Sequence, residues 1–238
     1  MADLSVKNMD LQLKKPIIAE STDSAMNHRI CVSIGEMPYL DALRIASTYP
    51  FVEVRLDLLK LDPEKIDILA LQCRQWIATC RPGNLTDRER TIMLASAIRF
   101  AATYVDIEYE STLEYRQPLI DLAKKHNCKV IISYHNFETT PDTDTLNQII
   151  DNSTNMGADL VKIAVTANSP ADNARIISLY CYHTNLLAFA MGEVGRVTRI
   201  TPLFVSDKFT FASVDEENIT APGQLSVSQL EEIFKVLY

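Results

Sequence analysis

From Arg29 onward the chain repeats one unit eight times: a short run rich in branched apolar residues, then a longer stretch of helical periodicity. The apolar runs fall at 30–34, 51–56, 76–80, 104–107, 129–133, 160–165, 185–190 and 209–212. Helical patterns follow them near 38–48, 64–75, 88–103, 113–126, 142–156, 169–183 and 196–204, with a last one over 226–237. Runs this short, apolar on both faces, read as buried parallel strands. Eight β-then-α units in 238 residues predict an α/β fold of the closed (β/α)8 barrel type. An open doubly wound sheet is the alternative. It would normally carry a glycine-rich phosphate loop, and this chain has 6 glycines and no GxGxxG.

Local signals mark several helix ends. Ser169 followed by Pro170 reads as an N-cap with proline in the first turn. Ser226 with Gln229 has capping-box spacing, and Leu225 can staple to Leu230. Gly157 suits a helix C-terminus. Ahead of the repeat, 4–6 and 11–13 alternate apolar and polar, which predicts a short N-terminal β-hairpin, and 20–27 reads as a linker. The expected organisation is therefore one (β/α)8 domain over 1–238, with hairpin and linker in 1–28.

Hydrophobic residues make up 47% of the chain and charged ones 23%, enough for a sizeable core. The net charge of −8 argues against nucleic acid or an anionic membrane as partner, and leaves room for a local cationic pocket holding a small anion. Cys31, Cys73, Cys80, Cys128 and Cys181 are odd in number and include no CxxC pair, which points to reduced thiols in a cytoplasmic protein. Residues 1–20 contain no apolar signal core, and no run is long enough for a bilayer, so a soluble, unexported protein is expected.

Against this apolar background the polar residues on strands stand out. The sixth run, Leu160 to Val165, carries Lys162 at its centre. Burial disfavours an ammonium, and an uncharged amine in a dry pocket attacks carbonyls and forms Schiff bases. A lysine snorkelling from a strand end, or one paired with a carboxylate, is the plainer reading. In the second run, Val52, Val54 and Leu56 alternate with Glu53, Arg55 and Asp57, putting the charges on one face. If the apolar set packs on helices, Glu53 and Arg55 point into the barrel top; otherwise they form an ion pair on a solvated strand. Arg81 follows the third run, where it could bond a substrate oxygen or simply decorate a loop. Asp106 and Glu108 share a face of the fourth strand and could bind a divalent cation, orient a histidine, or pair with arginines. His135 ends the fifth strand beside Lys162 and is the candidate proton carrier. No HxH or HExxH occurs, so zinc is not expected. Arg196 and Arg199, with Gly192 and Gly195, could build an anion site after the seventh strand. Thr220 and Gln224 offer hydrogen bonds from the loop before the last helix.

Five pieces, in order, carry a family resemblance: 53–57 (EVRLD), 131–137 (IISYHNF), 161–164 (VKIA), Met191-Gly192 through Arg199, and 221–224 (APGQ). Together they resemble the type I 3-dehydroquinate dehydratases over nearly all of 30–237. The resemblance implies a (β/α)8 barrel, usually a homodimer, that dehydrates 3-dehydroquinate to 3-dehydroshikimate in the shikimate pathway of aromatic amino acid biosynthesis, with no metal or organic cofactor. It implies that Lys162 forms the Schiff base and His135 is the general acid/base. Glu53, Arg55 and Arg81 match groups holding ring hydroxyls; Arg199 and Gln224 match the grip on the substrate carboxylate, with Thr220 where many relatives have serine. Ser33, Met191 and Phe211 fall at pocket-lining positions, with Asp106 and Glu108 behind them.

One position departs from the family. Relatives often carry a glutamate four residues after the strand-three arginine, near the histidine, and here Leu85 stands there. The expectation is that Asp87 or Glu89 reaches in from a shifted loop, or that Asp106 and Glu108 alone orient His135. Rival readings are another Schiff-base barrel of aldolase type, a metal-dependent lyase using Asp106 and Glu108, and a non-catalytic barrel binding a shikimate-like ligand.

Overall fold

The computed structural model describes residues 28–237; the predicted N-terminal hairpin and linker, up to residue 27, lie outside that range. Strand β1 (Ile30–Ile34) leads to helix α1 (Tyr39–Thr48), and β2 (Phe51–Arg55) to a single turn, α2 (Leu56–Leu59), and then α3 (Pro63–Ala70). The regular units follow: β3 (Gln75–Thr79) with α4 (Asp87–Arg99), β4 (Tyr104–Glu108) with α5 (Leu113–Lys125), β5 (Lys129–Asn136) with α6 (Thr143–Asn155), and β6 (Leu160–Thr166) with α7 (Pro170–Ser178). After β7 (Leu186–Met191) the chain makes α8 (Gly192–Gly195), a 3-10 turn over Arg196–Arg199 and α9 (Thr201–Val205). Strand β8 (Thr210–Ser213), a two-residue β9 (Leu225–Ser226) and α10 (Val227–Leu237) end the fold.

All pairings are parallel, in the order β7-β6-β5-β4-β3-β2-β1-β8-β9. The sheet curls into a barrel. Among the described residues no ladder joins β7 to β8, and side chains bridge that seam instead. The Phe189 and Phe211 rings meet edge to face, with centroids 6.0 Å apart. Across the same seam the Thr210 hydroxyl donates to the Arg199 carbonyl at 2.5 Å. The expected helix over 196–204 is broken into two short turns, Arg196–Arg199 and Thr201–Val205, with a third, Gly192–Gly195, ahead of them. Gly195 explains part of this: a Cβ there would lie 2.5 Å from the Ala190 carbonyl oxygen, so only glycine lets the turn fold back onto β7. Thr198 fixes that fold-back, accepting from the Ala190 N–H at 2.6 Å and donating to the Gly195 carbonyl at 2.7 Å.

Caps follow the sequence signals. Asp172 bonds the Ser169 backbone in a capping box, Ser226 and Gln229 bond each other's backbone, and Gly157 (φ +100°) follows α6. One difference concerns β2. It ends at Arg55, and Asp57 belongs to α2, where it takes both arms of Arg55 at 3.1 and 2.7 Å. Asp57 is therefore a local partner of Arg55 and not a third charge on the strand face.

Period-two alternation divides the strand residues into two packings. Outward residues such as Val32, Val54, Ala78, Val105 and Ile132 join the helices in one core, and Val161, Ile163 and Val165 pack with Leu146, Ile150 and Ile176 in a second. Inward residues stack in levels. Cys31, Phe51, Ile77, Ile131, Leu160, Leu187 and Phe209 form an apolar floor. Two residues further along the same faces come Ser33, Glu53, Thr79, Asp106, Ser133 and Lys162, all buried. The apolar floor closes the barrel from below, and the polar level opens only upward.

Arg29 secures the base of the seam. Its guanidinium donates to the carbonyls of Lys208, Leu203, Pro202 and Ser206 at 2.6–3.0 Å, capping the C-terminal carbonyls of α9 and tying them to the foot of β1. Arg29→Met should leave these acceptors without a cation and lower unfolding free energy by about 1–3 kcal/mol. Denaturant titration reads this directly; an unchanged midpoint would show that the seam holds without the arginine.

Candidate active site

A cavity of about 430 Å³ opens at the C-terminal ends of the strands. Its walls include Ser33 of β1, Glu53 and Arg55 of β2, Arg81 after β3, Glu108 of β4, His135 of β5 and Lys162 of β6. Met191 of β7, Arg199 of the 3-10 turn, Phe211 of β8, and Thr220 and Gln224 from the loop before β9 complete them. The structure thus brings these residues singled out in the sequence to one place, whereas Arg196, offered with Arg199 for an anion site, lies outside the cavity lining and pairs with Glu193 at 3.4 Å. Asp106 sits just beneath, fully buried and in contact with Lys162.

Lys162 is not surrounded by aliphatic groups alone. Its Nζ lies 3.3 Å from Asp106 Oδ2 and 3.7 Å from Glu53 Oε1, and 4.1 Å from the centre of the Phe211 ring. The remaining carboxylate oxygens are matched as well. Glu53 accepts from the Ser33 and Thr79 hydroxyls, each at 2.9 Å. Asp106 accepts from Arg81 at 2.7 Å and from the Ser133 hydroxyl at 2.5 Å. Burial alone would oppose ionisation of Asp106, but Arg81 and Lys162 outweigh it and hold its carboxyl well below the usual range.

Among the described residues neither Asp106 nor Glu108 hydrogen-bonds the histidine, although Asp106 favours its charged form. Glu108 lies between two arginines, accepting from Arg81 at 3.0 Å and from Arg90. Nor does the loop after Arg81 supply a substitute. Asp87 bonds Arg90 at 3.0 Å, and Glu89 closes a capping box on Thr86 at the start of α4. An ion pair within the first turn of α4 holds Asp87, and the helix cap holds Glu89. Among the described residues the His135 ring has no hydrogen-bond partner; it stacks on Phe137, centroids 6.1 Å apart and 15° from parallel. Its register explains its height. Ser133 faces Lys162 and His135 faces Ala164, so the ring stands one inward position above the amine on the neighbouring strand. Burial, together with Arg81 and Lys162, pushes the ring well below the ordinary imidazole range, against the opposing pull of Asp106.

Arg90 went unrecognised in the sequence. It is buried on α4, donates to the Cys80 carbonyl at 2.9 Å and lies 4.6 Å from the centre of the Tyr115 ring. A signal existed: it precedes Met93 and Leu94 by three and four residues, which puts a charge on the apolar stripe of the helix. Phe189, Phe137, Pro82 and Glu110 also line the cavity. Phe189 was hidden within an apolar run that reads as plain core.

Arg199 differs from the other cations. It is buried, donates to the Pro222 carbonyl at 2.7 Å and rests 4.9 Å from the centre of the Phe189 ring. Its Nε has no partner, and among the described residues no carboxylate pairs with it. Burial, then Arg196, push it down to about 10, so it stays cationic at neutral pH. Gln224 stands beside it on the rim. Its amide oxygen accepts from the Thr220 N–H and hydroxyl at 2.9 and 3.0 Å, which turns the NH2 toward Ser33 at 3.3 Å. Gly223 (φ +70°) permits this loop: a Cβ there would meet the Gly192 carbonyl oxygen at 2.6 Å. Among the described residues no trio of His, Cys, Asp or Glu is arranged for a metal, and both β4 carboxylates are engaged by cations.

A barrel whose strand ends surround a buried amine, an imidazole and an unpaired guanidinium belongs with the (β/α)8 enzymes, which carry their sites at this end of the strands. Residues 30–238 match the type I 3-dehydroquinase family model, and the chain belongs to that family. It is 35% identical over 222 residues to a 3-dehydroquinate dehydratase of Desulfotalea psychrophila, covering 87% of this chain and 97% of the relative. It is 34% identical over 198 residues to one of Pyrococcus abyssi, covering 81% and 89%. The solved 3-dehydroquinate dehydratase of Aquifex aeolicus superposes with a TM-score of 0.72 at 26% identity, covering 88% of this chain and 98% of that one. Among the described residues no helix is long and apolar enough to cross a membrane.

The depressed histidine has a consequence for stability. The unfolded chain binds a proton at His135 near pH ~6.5, while the folded chain does not until well below that. Stability from this group is therefore present above ~6.5 and lost as pH falls toward the folded value, at a slope of up to about 1.4 kcal/mol per pH unit. His135→Asn should flatten the fall in unfolding free energy between about pH 6.5 and 5. Parallel stability curves for the two proteins would contradict this.

Proposed function

We propose that the chain is a hydro-lyase that dehydrates 3-dehydroquinate to 3-dehydroshikimate through a Schiff base on Lys162, with His135 as general acid and base. The observation that carries this reading is Arg199, a buried guanidinium without a carboxylate, facing the same cavity as the Lys162 amine. A substrate bearing both a carboxylate and a ring ketone meets both groups at once. A Schiff-base aldolase would share the strand-six lysine but need not hold a carboxylate at Arg199 and Gln224. The family match and the names of the relatives support the substrate.

The chemistry runs as follows. Lys162 passes its ammonium proton to His135 and attacks the ketone carbon; the carbinolamine hydroxyl takes that proton from His135 and leaves as water, giving an iminium. The iminium draws electrons from the adjacent C–H bond. His135, held neutral, takes that proton and leaves an enamine. The enamine expels the β-hydroxyl as water, using the proton on His135. Water then hydrolyses the conjugated iminium, releasing the enone and free Lys162. One water is lost overall. Asp106 and Glu53 lie where a developing iminium would need negative charge. Arg55 and Arg81, on the wall with Glu53, hold ring hydroxyls; Arg199 and Gln224 hold the carboxylate, with Thr220 fixing the Gln224 amide. Ser33, Met191 and Phe211 shape the walls. Family membership also supports a homodimer acting in the cytoplasm as a step of the shikimate pathway.

Borohydride added during turnover should fix a substrate-derived mass on Lys162, and Lys162→Ala should cut turnover by ~10⁴-fold or more. An enzyme that makes the enone, seen by its ultraviolet absorbance, but never yields the adduct would rule out the Schiff base. Arg199→Gln should reduce kcat/KM by an amount equivalent to about 2–5 kcal/mol. If kcat/KM for 3-dehydroquinate survives that change, the carboxylate is held elsewhere.

A further inference from the structure

A general base works well only when a third group fixes its tautomer and steadies the cation it becomes. His135 lacks such a group among its hydrogen bonds, and Asp106, Glu108, Asp87 and Glu89 are committed to other partners. Three carboxylates line the cavity, from Glu53, Glu108 and Glu110. Glu53 is bonded to Ser33 and Thr79, and Glu108 to Arg81 and Arg90. Among the described residues Glu110 alone of the three has no side-chain hydrogen bond to another residue and no ion pair; its carboxylate accepts only from its own backbone N–H.

Its place in the sheet brings it toward the histidine. Glu108 is in register with Ser133, and the Tyr109 N–H still donates to the Ser133 carbonyl at 2.8 Å. The β4–β5 pairing therefore reaches the residue before Glu110, on the side of β5 that ends in His135. The Ser111 N–H then donates to the Glu108 carbonyl at 3.1 Å, a turn that sets Glu110 on the cavity mouth with Arg81, Pro82 and Phe137.

We infer that Glu110 is the positioning residue for His135: its carboxylate accepts the ring N–H on the side away from Lys162, fixing the tautomer that faces the substrate and stabilising the imidazolium formed during turnover. The contact forms on substrate binding, as catalytic hydrogen bonds commonly tighten in the loaded enzyme. The charged groups around the ring are Arg81 of the β3 end, Lys162 of β6, Asp106 of β4 and Arg55 of β2; those around Glu110 are Glu108 and Arg81. The ring thus stands among three cations and one carboxylate that is already shared, and a second carboxylate is what its charged form lacks. Partial desolvation and Glu108 push the Glu110 carboxyl up from its ordinary value, against its own backbone N–H and Arg81, in keeping with a group at a half-dry rim.

The inference rests on the proton-carrier role proposed for His135, and its test is built to fail separately. Glu110→Gln, Glu110→Asp and the unaltered protein are compared in three ways. In steady-state kinetics with 3-dehydroquinate, Glu110→Gln should lower kcat by ~10-fold or more with KM held within about threefold. The acid limb of its kcat profile should move to lower pH, and Glu110→Asp should recover part of both. Nitrogen-15 NMR of the imidazole, with and without 3-dehydroshikimate, should show a lower ring pKa and a more mixed tautomer in Glu110→Gln. Borohydride trapping should still label Lys162 in the variant. A Glu110→Gln protein with unchanged kcat, unchanged acid limb and unchanged imidazole titration overturns the inference, as does a loss confined to KM. If the unaltered protein itself cannot be trapped, the Schiff-base reading has failed, and the imidazole titration alone decides for or against the Glu110–His135 contact.

Discussion

The buried carboxylate of Asp106 is the point on which the inner barrel depends. It takes Arg81 from the end of β3, Ser133 from β5 and Lys162 from β6, so one residue of β4 ties three other strand ends together. Burying an ion pair is costly, and such a pair is weak evidence for stability in itself. It is tolerable here because the charges balance at contact distance. Glu53, Asp106 and Glu108 meet Lys162, Arg81 and Arg90, three against three, with hydroxyls of Ser33, Thr79 and Ser133 filling the remaining positions. The return on that cost is fixed side-chain geometry, on a floor packed tightly enough that none of these groups can relax downward.

That balance gives Arg199 its meaning. On the far side of the cavity, past Phe189 and Phe211, it is a buried cation outside the matched set. A chain of net charge −8 would repel a small anion at long range, so the attraction must be local and short. Arg199 supplies it from a seam where β7 and β8 are not hydrogen-bonded and where glycine lets two loops approach closely. The unpaired guanidinium thus comes from the irregular connection at the break between β7 and β8.

Much of this was legible in the sequence, for a reason that can be stated. In a barrel, strand alternation decides which residues face inward, and a polar residue on an inward position is conspicuous against valine and isoleucine. Glu53, Asp106, Ser133 and Lys162 could be read that way, and the strand starts with them. What could not be read were the residues whose partners come from another layer. Arg90 reaches Glu108 from a helix, and helix arginines are ordinarily solvent residues. Asp87 and Glu89, plausible partners for a histidine by position, are claimed by the first turn of α4, a competition between capping and catalysis that spacing alone does not resolve. The Arg55–Asp57 pair was misplaced for a related reason, because alternation was carried one step past the end of the strand.

The same competition explains the state of the histidine. Each carboxylate that sequence placed near His135 had a stronger offer: a guanidinium presents up to five donors in a rigid fork, and a helix N-terminus presents free N–H groups. An uncharged imidazole offers one N–H. It therefore loses every contest, and burial among Arg81 and Lys162 favours its neutral form, the one a base requires. In the proposed reaction the ranking changes: an imidazolium is a charged donor, and a carboxylate outside the ion pairs gains most from meeting it. A residue held in reserve at the mouth, outside the matched inner set, can answer that change without disturbing Asp106 or Glu108. Their arginines, and through them the strand ends, then keep the same positions before and after proton transfer.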